Sequence, residues 1–290
     1  VWFRWPDNII IFSGGILTAS VWLAISATSL SLIRTATAAP DDSSMVTWAI
    51  ASDSADWSGA VLPDFAAYGD VQIRKVRFFS YLVPLVRAEN KRVAKDRRRL
   101  TYICAQVRWQ QEINAVDRVW LRKLVEEYKL SETDPHNPDF WAAAWRRVDI
   151  LPLELVLVQA ANESAWGTSR FAREGNNLFG QWCFSEGCGI VPGDRPVDAS
   201  YEVASFGTVR ESLGSYVHNL NTGRSYRRLR TLRAEMRRQG RQLDAAELAA
   251  GLVSYSQRGT AYVAELQAMI RHNAQIFHEL RGQVAKEGNS

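Results

Sequence analysis

The sequence predicts an α+β protein that is predominantly α-helical, with one small β-hairpin. Three observations carry this. Apolar residues recur at helical spacing through most of the chain from Val71 onward, as in Phe78, Phe79, Leu82, Leu85 and Val86. Strand-like alternation is confined to Ser200–Phe206, SYEVASF, behind a turn-rich run with Gly187, Gly189, Pro192, Gly193 and Pro196. The composition is that of a globular chain, 47% hydrophobic and 23% charged over 290 residues, enough for one large or two modest domains. A net charge of +4 and a pI near 9.0 suit an anionic partner (cell wall, membrane surface or nucleic acid) and select none of them. The 11 Trp residues fit either a sugar-stacking surface or a large aromatic core.

The first element, Ile9 to Ile33, is apolar, uncharged and long enough to span a bilayer. Arg4 precedes it and small residues at Ala36–Ala39 follow, so residues 1–39 read as a cleaved export signal or an uncleaved membrane anchor. Residues 40–70, rich in Ser, Asp, Ala and Gly, read as a linker. Residues 71–134 form a helical N-terminal region: a helix with a possible kink at Pro84, then one long amphipathic helix from Ala88 to Tyr128. The run Lys95 to Arg99 is a solvated face. Asp134-Pro135-His136-Asn137-Pro138 is a break, and residues 139–282 form the next domain. Its helices are expected at Phe140–Val148, from Pro152 toward Gly167, at Gly207–Asn221, Tyr226–Arg238, Ala245–Tyr255 and Thr260–Leu280, with the hairpin between them.

Chemistry concentrates in Leu153–Phe184, LELVLVQAANESAWGTSRFAREGNNLFGQWCF. Pro152 suits a helix start and Gly167 a stop, which puts Glu163 in the last turn of an otherwise apolar helix. The negative end of the helix dipole and the apolar surroundings both favour the protonated carboxyl. That is the placement of a general acid, although a surface Glu at a helix end has the same local sequence. Gln159 lies one turn earlier on the same face and Trp166 three residues later, where it can wall the site or stack on a sugar ring. Gly175-Asn176-Asn177 is a turn, and Leu178-Phe179-Gly180 brings backbone close to the occupant of the cleft.

At these residues the chain resembles the glucosaminidase domain of bacterial peptidoglycan hydrolases, glycoside hydrolase family 73, and within it the Bax-like proteins. The motif QAANESAWGTSRFAREGNNLFGQW carries the resemblance. YEVASFGTVRESLGSYVHNLNT, Ser225-Tyr226 and LVSYSQRGTAYVAELQAMI extend it, and RKVRFFSYLVPLVRAEN is similar to the region before the Bax-like hydrolase domain. The resemblance implies a lysozyme-like fold and hydrolysis of the β-1,4 bond between N-acetylglucosamine and N-acetylmuramic acid. It implies Glu163 as general acid. Gln159, Trp166, Asn177, Phe179, Trp182, Tyr226 and Tyr255 are the candidate substrate-binding residues, with core packing the alternative for Tyr255. Family members carry a second Glu on the hairpin. The candidates here are Glu202, which a strand would hold toward the cleft, then Glu186, Asp194 and Asp198. Without one, the substrate's own 2-acetamido group can act as nucleophile.

The chain has three cysteines. Cys183 and Cys188 flank a short loop in which a disulfide is geometrically allowed, and Cys104 reads as a buried small hydrophobe. No zinc spacing is present, and the four histidines, 136, 218, 272 and 278, fit no ligand set, so neither metal nor cofactor is expected. The expected partner is peptidoglycan glycan, with the membrane added if the N-terminal segment is retained, in the periplasm or cell envelope. Two rivals remain open. A lytic transglycosylase also uses one acid at a helix end, but the segment GLMQ that accompanies it is missing. A non-catalytic wall-binding or nucleic-acid-binding protein would draw on the basic segment Arg224 to Arg241; the export-like N-terminus argues against nucleic acid.

Overall fold

The computed structural model describes residues 61–193, 195–196 and 198–287. The segment Ile9–Ile33 and the candidate Asp194 lie outside them. The fold is α+β and lysozyme-like, mostly helical with one small antiparallel sheet.

At its centre is α4 (Leu153–Ser164), in which every residue from Leu155 to Ala161 is buried. A helix apolar on all sides needs cover on all sides. Its cover includes α1 (Val71–Arg108), α8 (Ala245–Ala249) and α9 (Thr260–His272). The remaining helices are α2 (Ala115–Glu127), α3 (Pro138–Arg147), α5 (Arg170–Gly175), α6 (Val209–Thr222), α7 (Arg227–Arg238) and α10 (Ala274–Glu287).

Local signals fix most boundaries. Asp70, Asn114, Asn137, Ser169, Thr208 and Asp244 each cap a helix by accepting a backbone N–H with the side chain. Three boundaries differ from the sequence expectation. Pro84 sits on the exposed side of α1 without ending it, and α1 instead stops at Arg108, where Gln110 turns left-handed and Asn114 starts α2. The last helix is divided at Asn273. The hairpin is a three-stranded sheet in which β3 (Glu202–Ala204) lies between β1 (Trp182–Cys183) and β2 (Gly189–Ile190), both antiparallel to it. Gly189 is required there, because a Cβ would fall 2.0 Å from Val203 O.

Phe65, in a short 3₁₀ turn ahead of α1, is buried against Phe78 and Tyr81. The packing therefore begins before Val71. At the other end of α1, a groove of about 990 Å³ runs between α1, α2 and the Thr133–His136 loop, floored by Ile113, Leu121 and Val125. None of the residues proposed for chemistry lines it.

A buried cation joins the layers. Arg233 of α7 donates to the carbonyls of Arg146, Asp149 and Ile150 and to Asn221 Oδ1, at 2.7–3.1 Å. Asp149, itself buried, also meets Arg97 of α1 at 3.6 Å and Arg237 at 3.0 Å. Burial pulls the Arg233 pKa down to about 10, still far enough above neutrality to keep its charge, and Asp149 opposes that fall. Arg233→Met should fill the space but orphan these acceptors. We expect a loss of about 3 kcal/mol in urea denaturation; a loss below about 1 kcal/mol would mean that the cluster is not what joins these elements.

Candidate active site

The chain around Glu163 is bent by three consecutive left-handed residues, Ala165, Trp166 and Gly167, with φ of 50°, 60° and 77°. Such conformations are uncommon for residues with a Cβ and need outside support. Ser164 provides some of it. Its hydroxyl donates to Ala160 O at 2.6 Å and accepts from the Gly167 N–H at 2.8 Å. Trp166 provides more by packing against Phe78 and Phe79 of α1, with ring centroids 5.8 and 5.1 Å apart. The indole expected to face a sugar is thus engaged with the N-terminal helix, and Lys75 lies over it at 5.5 Å.

Glu163 emerges from this turn half-buried. Tyr262 of α9 donates to its Oε1 at 2.7 Å. Behind Tyr262 stands Gln159, fully buried, whose Nε2 donates to the Tyr262 hydroxyl at 3.1 Å while its Oε1 accepts from Tyr216. Every donor in this file points toward the acid. Oε1 is thereby committed as an acceptor, and Asn162 also hydrogen-bonds the carboxyl. Gly180 faces Oε2. A Cβ there would stand 3.7 Å from it, and the φ of +60° suits glycine.

Burial is the largest influence on Glu163 and pushes its pKa up from 4.5 to about 7; the hydrogen bonds from Tyr262 and Asn162 act against the rise. The acid is therefore about half protonated near neutrality and retains solvent contact. Tyr255 and Tyr226 complete an aromatic wall. Tyr255 stacks on Tyr262 with 5.6 Å between centroids, donates to Phe179 O at 2.7 Å, and lies 5.9 Å from Tyr226. Burial raises the pKa of all four tyrosines, so they stay neutral hydroxyls at neutral pH.

The other expected residues fall into two groups. Phe179 is buried and stacked on Tyr216 at 3.9 Å, with only its carbonyl engaged in the site. Asn177 is buried and wired to its own loop, donating to Gln181 O and Ala204 O and accepting from the Phe179 and Gln181 N–H groups. Gln159 acts through Tyr262. These three shape the site from behind. Trp182 on β1 is half-buried and edge-on to Tyr201 at 4.6 Å, while Tyr226 and Tyr255 are buried in the aromatic wall beside Tyr262.

Glu202 was expected to face Glu163 from the strand. Its carboxylate instead accepts the backbone N–H groups of Gly187 and Gly189 at 3.1 and 2.7 Å. Those bonds hold its pKa below the usual carboxylate range. The side chain clamps the loop that the Cys183–Cys188 disulfide closes, with Cα atoms 6.2 Å apart. Both oxygens are occupied, which is poor preparation for activating water. Glu186 and Asp198 are exposed, in the disulfide loop and the following turn. Residues that sequence reasoning did not single out for the site are Tyr262 of α9 and Tyr216 of α6.

Comparison with known proteins identifies the family. A glucosaminidase family model, described as mannosyl-glycoprotein endo-beta-N-acetylglucosaminidase, matches residues 139–275. The chain is 32% identical over 216 residues to Protein bax of Escherichia coli (strain K12), covering 74% of this chain and 76% of that relative. No solved structure matches significantly.

Two outcomes follow from the geometry. A carboxyl whose native pKa lies above its free value binds protons more tightly when folded, so stability falls as pH rises from 4.5 to about 7. Glu163→Gln removes this penalty. It should be more stable than the parent by up to about 3 kcal/mol at pH 8, with the advantage shrinking as pH falls from about 7 and gone by pH 4.5, as read by denaturation at both pH values. Tyr262→Phe removes a bond that favours the anion. It should move the Glu163 titration to higher pH in carboxyl-carbon NMR, and an unchanged midpoint would contradict the hydrogen-bond file.

The chain belongs to the glucosaminidase family, and with it to the glycoside hydrolases that act on peptidoglycan.

Proposed function

We propose that the protein is an endo-β-N-acetylglucosaminidase that cuts the glycan strands of peptidoglycan between N-acetylglucosamine and N-acetylmuramic acid, with Glu163 as general acid. The observation that carries this reading is the state of Glu163: burial keeps much of it protonated near neutrality, Tyr262 occupies one oxygen, and the other faces the glycine at 180. A glycosidic oxygen is a poor leaving group until it is protonated. A carboxylic acid with pKa near 7 can donate that proton and be recharged at the same pH.

Charge then develops at the anomeric carbon and ring oxygen. The tyrosine wall is neutral and polarisable, and its hydroxyls are fixed by Gln159, Phe179 and Asn219. It would hold the sugar rings in place without competing for the proton. With Glu202 engaged in the disulfide loop, the step is best served by the substrate's 2-acetamido group as internal nucleophile, which needs a single protein acid. The same reading places the chain in the cell envelope, outside the cytoplasm. Its apolar segment Ile9–Ile33 supports export, and so does a Cys183–Cys188 disulfide, which persists in oxidising compartments.

Glu163→Gln should lower the rate of turbidity loss of purified cell walls by about 10²–10⁴-fold. The wild-type products should end in reducing N-acetylglucosamine. An anhydromuramyl end would instead assign a lytic transglycosylase. Binding to walls without digestion by either protein would assign a non-catalytic glycan-gripping role.

A further inference from the structure

The basic run of α1 is sorted by face. Arg92 is tied to Glu89, Asp96 and Glu127, and Arg99 meets Asp117 of α2 at 2.6 Å and lies over the Trp120 ring at 4.7 Å. Arg97 donates to the carbonyls of Trp145 and Val148 at the end of α3. Lys91, Lys95 and Arg98 are different. They are exposed and have no ion-pair partner among the described residues.

Those three cations continue into exposed aromatic surface. Steps of three or four residues place Lys91, Lys95, Arg98, Tyr102, Ala105 and Trp109 on one stripe, about 27 Å long. Trp109 is 79% exposed and Tyr102 59%. Past the corner into α2, Val116 is 71% exposed. The two acids of α1, Glu89 and Asp96, both bond Arg92 and lie off the stripe. Of the acids that follow it, Asp117 is held by Arg99 and Glu112 lines the groove between α1 and α2. One exposed ring on a protein surface is ordinary, but an acid-free row of cations ending in two rings is a built surface.

The chemistry of that row selects its partner. Indole and phenol rings settle between lipid headgroups and acyl chains, and unpaired Lys and Arg meet the lipid phosphates. Their methylene stems lie along apolar surface while the charged heads stay in the polar layer. A glycan site would set carboxylates beside the rings to accept sugar hydroxyls, and this row has none. The apolar stretch Ile9–Ile33 ends fewer than forty residues before α1, so a chain held in a bilayer there would keep the stripe within reach of its surface.

We propose that the outward stripe of α1, from Lys91 to Trp109, is a docking surface for an anionic phospholipid bilayer. Phe78 and Phe79, which brace the turn after Glu163, belong to the buried side of α1, so the docked stripe leaves that turn uncovered. The proposal goes beyond the glycosidase reading and does not depend on it.

The test places a polarity-sensitive fluorophore on the stripe through Ala105→Cys, or on the hairpin through Val191→Cys, with Cys104→Ala in both. The full chain is mixed with vesicles of phosphatidylcholine, alone or with phosphatidylglycerol, that carry a lipid-borne quencher. The docked-to-free ratio at position 105 should rise at least about fivefold with phosphatidylglycerol, while position 191 responds equally to both lipids. Replacing Lys91, Lys95 and Arg98 together by Gln, or raising the salt, should abolish that rise. Equal quenching at 105 and 191 in anionic vesicles overturns the proposal, and so does a rise that survives the Gln replacements. Shielding of the 105 probe by soluble glycan strands, without a lipid response, also overturns it and assigns the stripe to the wall. The comparison of lipids and salt on the unaltered cations decides the matter even if the triple variant fails to fold.

Discussion

The packing at the start of α4, the helix that carries Glu163, depends on one buried guanidinium. Arg233 gathers three carbonyls from the end of α3 and the link into α4, together with a side chain of α6, and Asp149 in the same link draws in α1 through Arg97. A guanidinium suits this place because its N–H groups form a fixed planar fork and it stays charged when buried. The link ends at Pro152, where α4 begins, so the anchor fixes the near end of the helix that carries Glu163. The far end is fixed differently, by Ser164 and by an indole pressed on two phenylalanines. An apolar helix pinned at both ends can hold a desolvated acid against its own preference for water.

That preference has a cost, and the neighbourhood is arranged to moderate it. Tyr262 and Asn162 solvate the carboxylate partly, while burial outweighs them. The result lies between two extremes. A fully solvated glutamate would have lost its proton well below neutral pH, and one with no hydrogen bonds would hold it too firmly to release it. The file from Tyr216 through Gln159 to Tyr262 also removes rotational choice from the acid. Both oxygens are therefore distinguishable before any substrate arrives.

Much of this was legible in the sequence, for local reasons. Glu163 stood out because an acid in the last turn of a largely apolar helix is conspicuous within a dozen residues. The disulfide loop was visible because its partners are close in sequence. Tyr262 was not, since its bond to Glu163 crosses ninety-nine positions and no spacing rule reaches that far. Trp166 was assigned to the ligand because an aromatic beside an acid is ambiguous until Phe78 and Phe79 are known to cover it. Glu202 misled for a related reason. A strand acid opposite a cleft and a strand acid tied to glycine N–H groups look alike until β3 is seen to lie between β1 and β2. Even the long helix expected from Ala88 to Tyr128 broke at a left-handed Gln110, a conformation no propensity assigns to glutamine.

The aromatic seam between α1 and the turn after Glu163 has a consequence for how such proteins vary. The recognisable family segment begins at residue 139, yet Phe78 and Phe79, sixty positions upstream, brace the bend that follows the acid. The family model and the mechanical support therefore have different borders, whereas the match to Protein bax, at 74% of the chain, extends well upstream of residue 139. A lineage exchanging its upstream region would have to supply another pair of bulky rings at that seam, or a new bend. The upstream helix and the bend after Glu163 are thus one mechanical unit, and a change in either is felt in the other.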